Sequence, residues 1–304
     1  MTPASRQAVA AHAHALCKTI GERTLTGGGL AAAERYIHDT LVDSGCTVHR
    51  QTYRYESETV ANLYCDLGPP PGEDPGAAPG EHAPIIVGAH YDTVPGTEGA
   101  DDNASAVCVL LALAARLARQ PPSVPVRCVA FTLEEPPAFQ TRWQGSRVFV
   151  RRMRAAGEHT RGAIVLEMVG YTTCEQRYPG PLKWAGYPAT GDFIGIIGDG
   201  QSRRLTRALK QGFQDNPHLP VESLTIPLRG WPLPAVRLSD HASFWDHGYP
   251  AVMVTDTAFF RNPHYHLPTD TCETLDFDFM ARLVDSLELG IARIARDCGS
   301  RTRR

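Results

Sequence analysis

Five separate stretches of this 304-residue chain bring histidines or carboxylates to the ends of apolar runs. PIIVGAH ends in His90, with Asp92 two residues on, and GADDNAS comes next with Asp101 and Asp102. VRCVAFTL runs into the adjacent pair Glu134 and Glu135, GAIVLEM carries Glu167, and the loop after AVMVTDT holds His264 and His266. Singly, each has an ordinary explanation. DDNAS reads as a helix N-cap, because Asp and Asn side chains accept the orphan amides of a first turn, and a Glu-Glu pair is usually surface charge. Glu167 is harder to dismiss: it lies between Leu166 and Met168 in an apolar run, and a buried carboxylate needs a cation or donors. All the ordinary explanations would have to hold at once.

Histidines mixed with carboxylates form the donor set of zinc and similar divalent ions. The scatter of these residues along the chain is unlike the tight spacing of a structural zinc site. The carboxylates also exceed what one tetrahedral ion takes. That surplus points to two ions sharing a ligand, which lie ~3.5–4 Å apart in such centres.

Some framework must carry five distant segments to one place. Leu30, Ala33, Ile37 and Leu41 recur at helical spacing, with Gly45 as a stop. CTVHRQTYRY and ETVANLYCDL read as two alternating strands, and residues 68–83 as a Pro/Gly loop. Further along lie buried strands in PIIVGAH, VPVRCVAFT, GAIVLEMVG, DFIGIIGDG and YPAVMVTDT. Helical segments lie between them, at 103–118, at 144–157 and through Leu205 and Leu209, and a last helix runs from Phe279 to Ile294. Strands alternating with helices imply a single-domain α/β/α sandwich over 1–304, a mostly parallel mixed central sheet flanked by helices. In such sheets ligands gather outside the carboxyl ends of the strands. The basic end, 299–304, reads as a disordered tail.

Composition narrows the partners. The net charge of −3 sets up no field for nucleic acid or an anionic membrane. No apolar run approaches the ~20 residues of a membrane helix, and the N-terminal residues do not form a secretory signal, so the chain reads as cytoplasmic. The eight cysteines form no CxxC pair; their even number permits disulfides without requiring them.

GAHYDT, GADDNAS, the Glu-Glu pair, LEMVG, SDHASF and NPHYHLPTDT, in that order over residues 85–276, resemble the zinc aminopeptidases and related co-catalytic metallopeptidases of the M28 type. The resemblance implies two zinc ions per chain. His90 would bind one, His266 would complete the site of the other, and Asp102 would bridge both. Glu135 and Glu167 would each bind one of the ions, and Glu134 would be the base. Asp92 would hold the His90 ring through its other nitrogen, and Asp240 and His241 would lie behind the ligands or near the substrate. His264 is the competitor of His266 for the ligand role. The substrate would be a peptide or small aminoacyl compound whose free α-amine directs cleavage to one residue from the N-terminus.

The pattern departs from the family in places. Glu167 stands where many relatives have Asp, and no Tyr precedes SDHASF, which leaves the oxyanion donor unnamed. The loop PPAFQTRWQGS is long and is expected at the pocket mouth. Pocket walls are expected from 136–144, 171–190, 225–237 and 256–265, with Trp143, Trp184, Trp231, Phe259 and Phe260. Rival readings are a single-zinc glutaminyl cyclase, a carboxypeptidase using Arg142, Arg229 or Arg237, and a metal-free binding module.

Overall fold

The most apolar strands of the chain occupy the middle of its sheet. In the computed structural model, which describes residues 3–70 and 82–299, β3 (Ile85–His90), β5 (Gly162–Glu167) and β8 (Ala251–Thr255) are buried at every position, and β4 (Val126–Phe131) at all but one. Such runs have no solvent face and must be covered by helices on both sides. The amphipathic strands β1 (Val48–Tyr55) and β2 (Glu58–Leu67) lie at one edge. β6 (Ile194–Asp199) and β7 (Val221–Ile226) close the other, giving the order β1-β2-β4-β3-β5-β8-β6-β7.

β4, β3, β5 and β8 run parallel, and β6 pairs with β7 in parallel. The pairs β1–β2, β2–β4 and β6–β8 are antiparallel. This is the mixed, mostly parallel sheet expected. β7 escapes the sequence reading because VESLTI is half-exposed throughout and shows neither a buried run nor clean alternation.

One face is covered by α1 (Pro3–Ala13), α2 (Gly29–Asp43), α3 (Ala106–Arg119), α5 (Arg203–Gln214) and α7 (Phe277–Gly299) around the larger apolar core. The other face carries α4 (Gly145–Ala155) and α6 (His241–Asp246), which pack Phe149, Met153, Phe244 and Trp245 onto Phe131 and Val165. Among the described residues no helix is long and apolar enough to cross a membrane. The basic end from residue 300 and most of the Pro/Gly loop, 71–81, lie outside the described residues.

The fully buried Arg23 ties the framework to the sheet edge where the carboxylates gather. Its guanidinium donates to the carbonyls of Tyr91, Gly21, Glu98 and Gly99. It thereby joins the end of β3 to the loop that delivers Asp102. Gly99 sits there at φ 53, where an added Cβ would meet the Asp102 carbonyl at 2.4 Å, so the turn admits no side chain.

Candidate metal centre

His90 ends β3, Glu167 ends β5, and Glu134 and Glu135 come just after β4, so parallel pairing alone sets these four at one sheet edge. Asp102 comes from the turn before α3, and His266 from the loop after β8. His90 Nε2 lies 3.3 Å from Asp102 Oδ1, 3.6 Å from Glu167 Oε2 and 3.9 Å from Glu134 Oε2. His266 Nε2 lies 3.1 Å from Asp102 Oδ2 and 3.4 Å from Glu135 Oε1. Each oxygen of Asp102 thus faces a different histidine. The donor atoms of His90, Asp102 and Glu167 converge within 4.8 Å of one another, as do those of Asp102, Glu135 and His266. The trio His90, Glu134 and Glu135 meets the same limit.

A ring of polar contacts holds the donors. Asp92 lies 3.5 Å from His90 Nδ1 and accepts the backbone amides of Glu134 and Glu135, both at 2.9 Å. The aspartate that faces the histidine thus also fixes the glutamate pair. Ser239 donates to Glu167 Oε2 at 2.6 Å, and Asp270 accepts the amides of Asp101 and Asp102. Asn103 joins the Asp102 turn to β5, donating to the Leu166 carbonyl and accepting the Met168 amide. The DDNAS side chains therefore tie the turn to neighbouring segments, and none caps α3. Of the nine non-glycine residues at positive φ among those described, Leu133, Met168, Thr257 and His266 stand at or beside these segments, a concentration of strain typical of functional sites.

The electrostatics call for cations. Glu134, Glu135, Glu167 and Asp102 are all buried, a formal charge of −4 that two divalent ions (+4) would balance. Burial pushes Glu134 well above the usual carboxylate range, with Glu135 and Asp240 adding to the rise, and it lifts Glu135 to about 7 and raises Glu167. Burial would also raise Asp102, yet the two histidines pull it down. Burial opposes charge on His90 and His266, but the carboxylates prevail: His90 is raised well above its usual value and His266 to about 10. Nε2 of both histidines and Asp102 Oδ1 are buried without a hydrogen-bond partner. Unpartnered donor atoms in a pit of excess carboxylate fit a pair of zinc-like ions.

Metal binding must therefore compete with protons. Zinc requires neutral histidine, whereas at pH 7 both imidazoles hold their protons in the metal-free protein. Loading zinc at pH 7 in weak buffer should release about two or more protons per chain. Affinity should climb as pH rises from 7 toward the His266 value of about 10. Indicator-dye titration checks this; zinc uptake without proton release would contradict it.

The surroundings of the pit differ from expectation at His241 and at three tryptophans. His241 is fully buried, with Nε2 2.7 Å from the Val236 carbonyl and its ring edge-on to Trp245. Burial lowers it to about 3, so its ring is neutral and packed in the core behind the cavity wall residue Val236. Trp143 packs on Tyr55 at the β1–β2 hairpin, and its loop lines no part of the cavity beside Glu167. Trp184 and Trp231 are exposed and do not line it either. Asp240 is buried, accepts from Gln144 at 3.0 Å and is raised by burial to about 7, so it lies behind the donors. His264 bonds to Thr269 and takes no place in the cluster.

That cavity is partly open and spans about 890 Å³ with the solvent at its mouth included. Its walls are mostly apolar, among them Phe193, Leu224, Met253, Phe259, Phe260 and Tyr265. Tyr265 stacks on His266 with ring centroids 3.8 Å apart, and burial beside the carboxylates raises its phenol. Of the basic candidates for a carboxypeptidase, Arg237 is paired with Asp246 at 2.7 Å, Arg142 lies over Trp143, and neither they nor Arg229 line the cavity.

A family model described as Peptidase family M28 matches residues 72–288. The Uncharacterized protein YfbL of Escherichia coli (strain K12) is 37% identical over 270 residues, 85% of this chain and 78% of that one. Leucine aminopeptidase 1 of Arthroderma otae is 29% identical over 214 residues, 66% of this chain and 52% of its own length, so the chain spans about half of that relative. The zinc aminopeptidase BSAP from Bacillus subtilis superposes with a TM-score of 0.71 at 14% identity, over 94% of both chains. Porphyromonas gingivalis glutaminyl cyclase superposes at 0.68 and 17%, over 94% of this chain and 97% of the other. At such identities the two superpositions show the fold alone.

Proposed function

The chain belongs to peptidase family M28, and from that premise we propose that it is a di-zinc aminopeptidase removing apolar residues from peptide N-termini. The observation that carries the two-ion reading is Asp102, whose oxygens face His90 and His266 separately. A single ion would engage only one of these two faces. His90 and Glu167 would hold one ion and Glu135 and His266 the other, with Asp102 common to both. Bound there, zinc would supply Lewis acidity and water activation near neutral pH.

The remaining work falls to the protein. Glu134 takes the proton of the attacking water and returns it to the leaving amine, from a buried place beside the donors. Asp92 fixes the backbone beneath it, so the base and its ligand neighbour keep their separate directions. The Tyr265 phenol, kept protonated by burial and by the carboxylates, faces the cavity and is a donor for the developing oxyanion. The apolar cavity beside Glu167 suits a large apolar side chain.

A panel of aminoacyl anilides tests the reading: leucyl and phenylalanyl anilides should be hydrolysed by the zinc-loaded protein. Cyclisation of N-terminal glutamine with no aminoacyl cleavage would replace it with the cyclase.

A further inference from the structure

The register of the sheet gives the cavity a direction. Glu167 on β5 pairs with Thr255 on β8, Thr255 with Gly195 on β6, and Gly195 with Glu222 on β7. The next row on the same face is Val165, Met253, Ile197 and Leu224. Glu167, Thr255, Gly195, Glu222, Met253, Ile197 and Leu224 all line the cavity, so its floor crosses three strand spacings, ~14 Å at ~4.8 Å each. One carboxylate stands at the metal centre and another at the far edge, where Glu222 meets Lys210 at 3.5 Å and the Tyr187 hydroxyl bonds the Ser223 carbonyl. Between them the floor is apolar apart from Thr255. A leucine or phenylalanine side chain entering beside Glu167 covers only part of this length.

Gly195 lies two strand spacings along the floor from Glu167 and one from Glu222. Its backbone is not in the left-handed region, and an added Cβ would meet nothing closer than the Thr255 carbonyl at 3.4 Å, an ordinary contact. Neither backbone conformation nor packing requires glycine here. A side chain at 195 would instead rise from the floor and divide the channel.

We propose that this channel accepts an unbranched apolar side chain longer than that of leucine or methionine, reaching past Gly195 toward β7, and that Gly195 is the residue that permits it. The proposal rests on the aminopeptidase reading and specifies its substrate class: peptides or amides whose N-terminal residue bears an extended apolar chain.

The test is a series of anilides of alanine, norvaline, norleucine, α-aminooctanoic acid and α-aminodecanoic acid. Burial of each methylene should raise kcat/KM about fourfold (~0.8 kcal/mol) through the aminodecanoyl member. In Gly195→Leu the aminooctanoyl-to-alanyl ratio of kcat/KM should fall at least about tenfold, and Gly195→Ala should fall between that variant and the parent. A parent profile flat beyond norleucine overturns the proposal, as does an unchanged ratio in folded Gly195→Leu or, if that variant does not fold, in Gly195→Ala. Failure to cleave every member, alanyl included, would instead sink the aminopeptidase reading itself.

Discussion

Glu134→Gln is expected to retain bound zinc while kcat falls by ~10²–10⁴, the usual contribution of a general base. The substitution preserves shape but puts an amide NH2 where the basic oxygen stood. Glu134 is the carboxylate best suited to move protons rather than hold an ion. Its Oε2 is 3.9 Å from His90 Nε2, the longest of the His90 contacts, and it has no contact with His266. Its neighbour Glu135 lies 3.4 Å from His266 and converges with Asp102. The two adjacent carboxylates should therefore fail differently: Glu134→Gln in turnover with KM little changed, Glu135→Gln in metal content. Steady-state kinetics beside elemental analysis separates them. Normal turnover in Glu134→Gln with zinc bound would mean that another group is the base.

Asp102→Asn is expected to damage both halves of the centre. An amide offers one oxygen where the carboxylate offers two, and its nitrogen cannot take a ligand position. The remaining −3 of Glu134, Glu135 and Glu167 also leaves two divalent ions unbalanced. Zinc binding should weaken by at least ~100-fold, the upper range seen when only an outer partner of a ligand is lost. Activity should fall with it, even though the backbone tether to Asp270 survives the change. An Asp102→Asn protein that keeps two tightly held ions would show that the two histidine sites do not share this residue.

The site was legible in the sequence to the extent that its residues stand at strand ends. His90, Glu134, Glu135 and Glu167 are reached by reading the residues at and just past the end of each apolar run, because parallel strands deliver their carboxyl ends to one edge. The supports were harder to see. Asp270, Ser239 and Asn103 act through one or two hydrogen bonds each, spanning 63 to 169 positions of sequence, and polar residues in loops have no period to reveal them. No tyrosine precedes SDHASF; the proposed oxyanion donor, Tyr265, adjoins His266 instead. His241 misled because its motif lies beside Ser239 and Asp240, yet a helical start turns its ring into the core under Trp245. The exposed tryptophans misled because an aromatic in a loop near a site need not face it: Trp184 is 84% exposed.

If two metal sites share Asp102, the number of zinc ions held at full activity reveals it most directly. Metal-free protein equilibrated against zinc should bind two ions per chain, with activity toward leucyl anilide still rising as the second is filled. Full activity at one ion per chain, with no second ion bound at the pit, would contradict it.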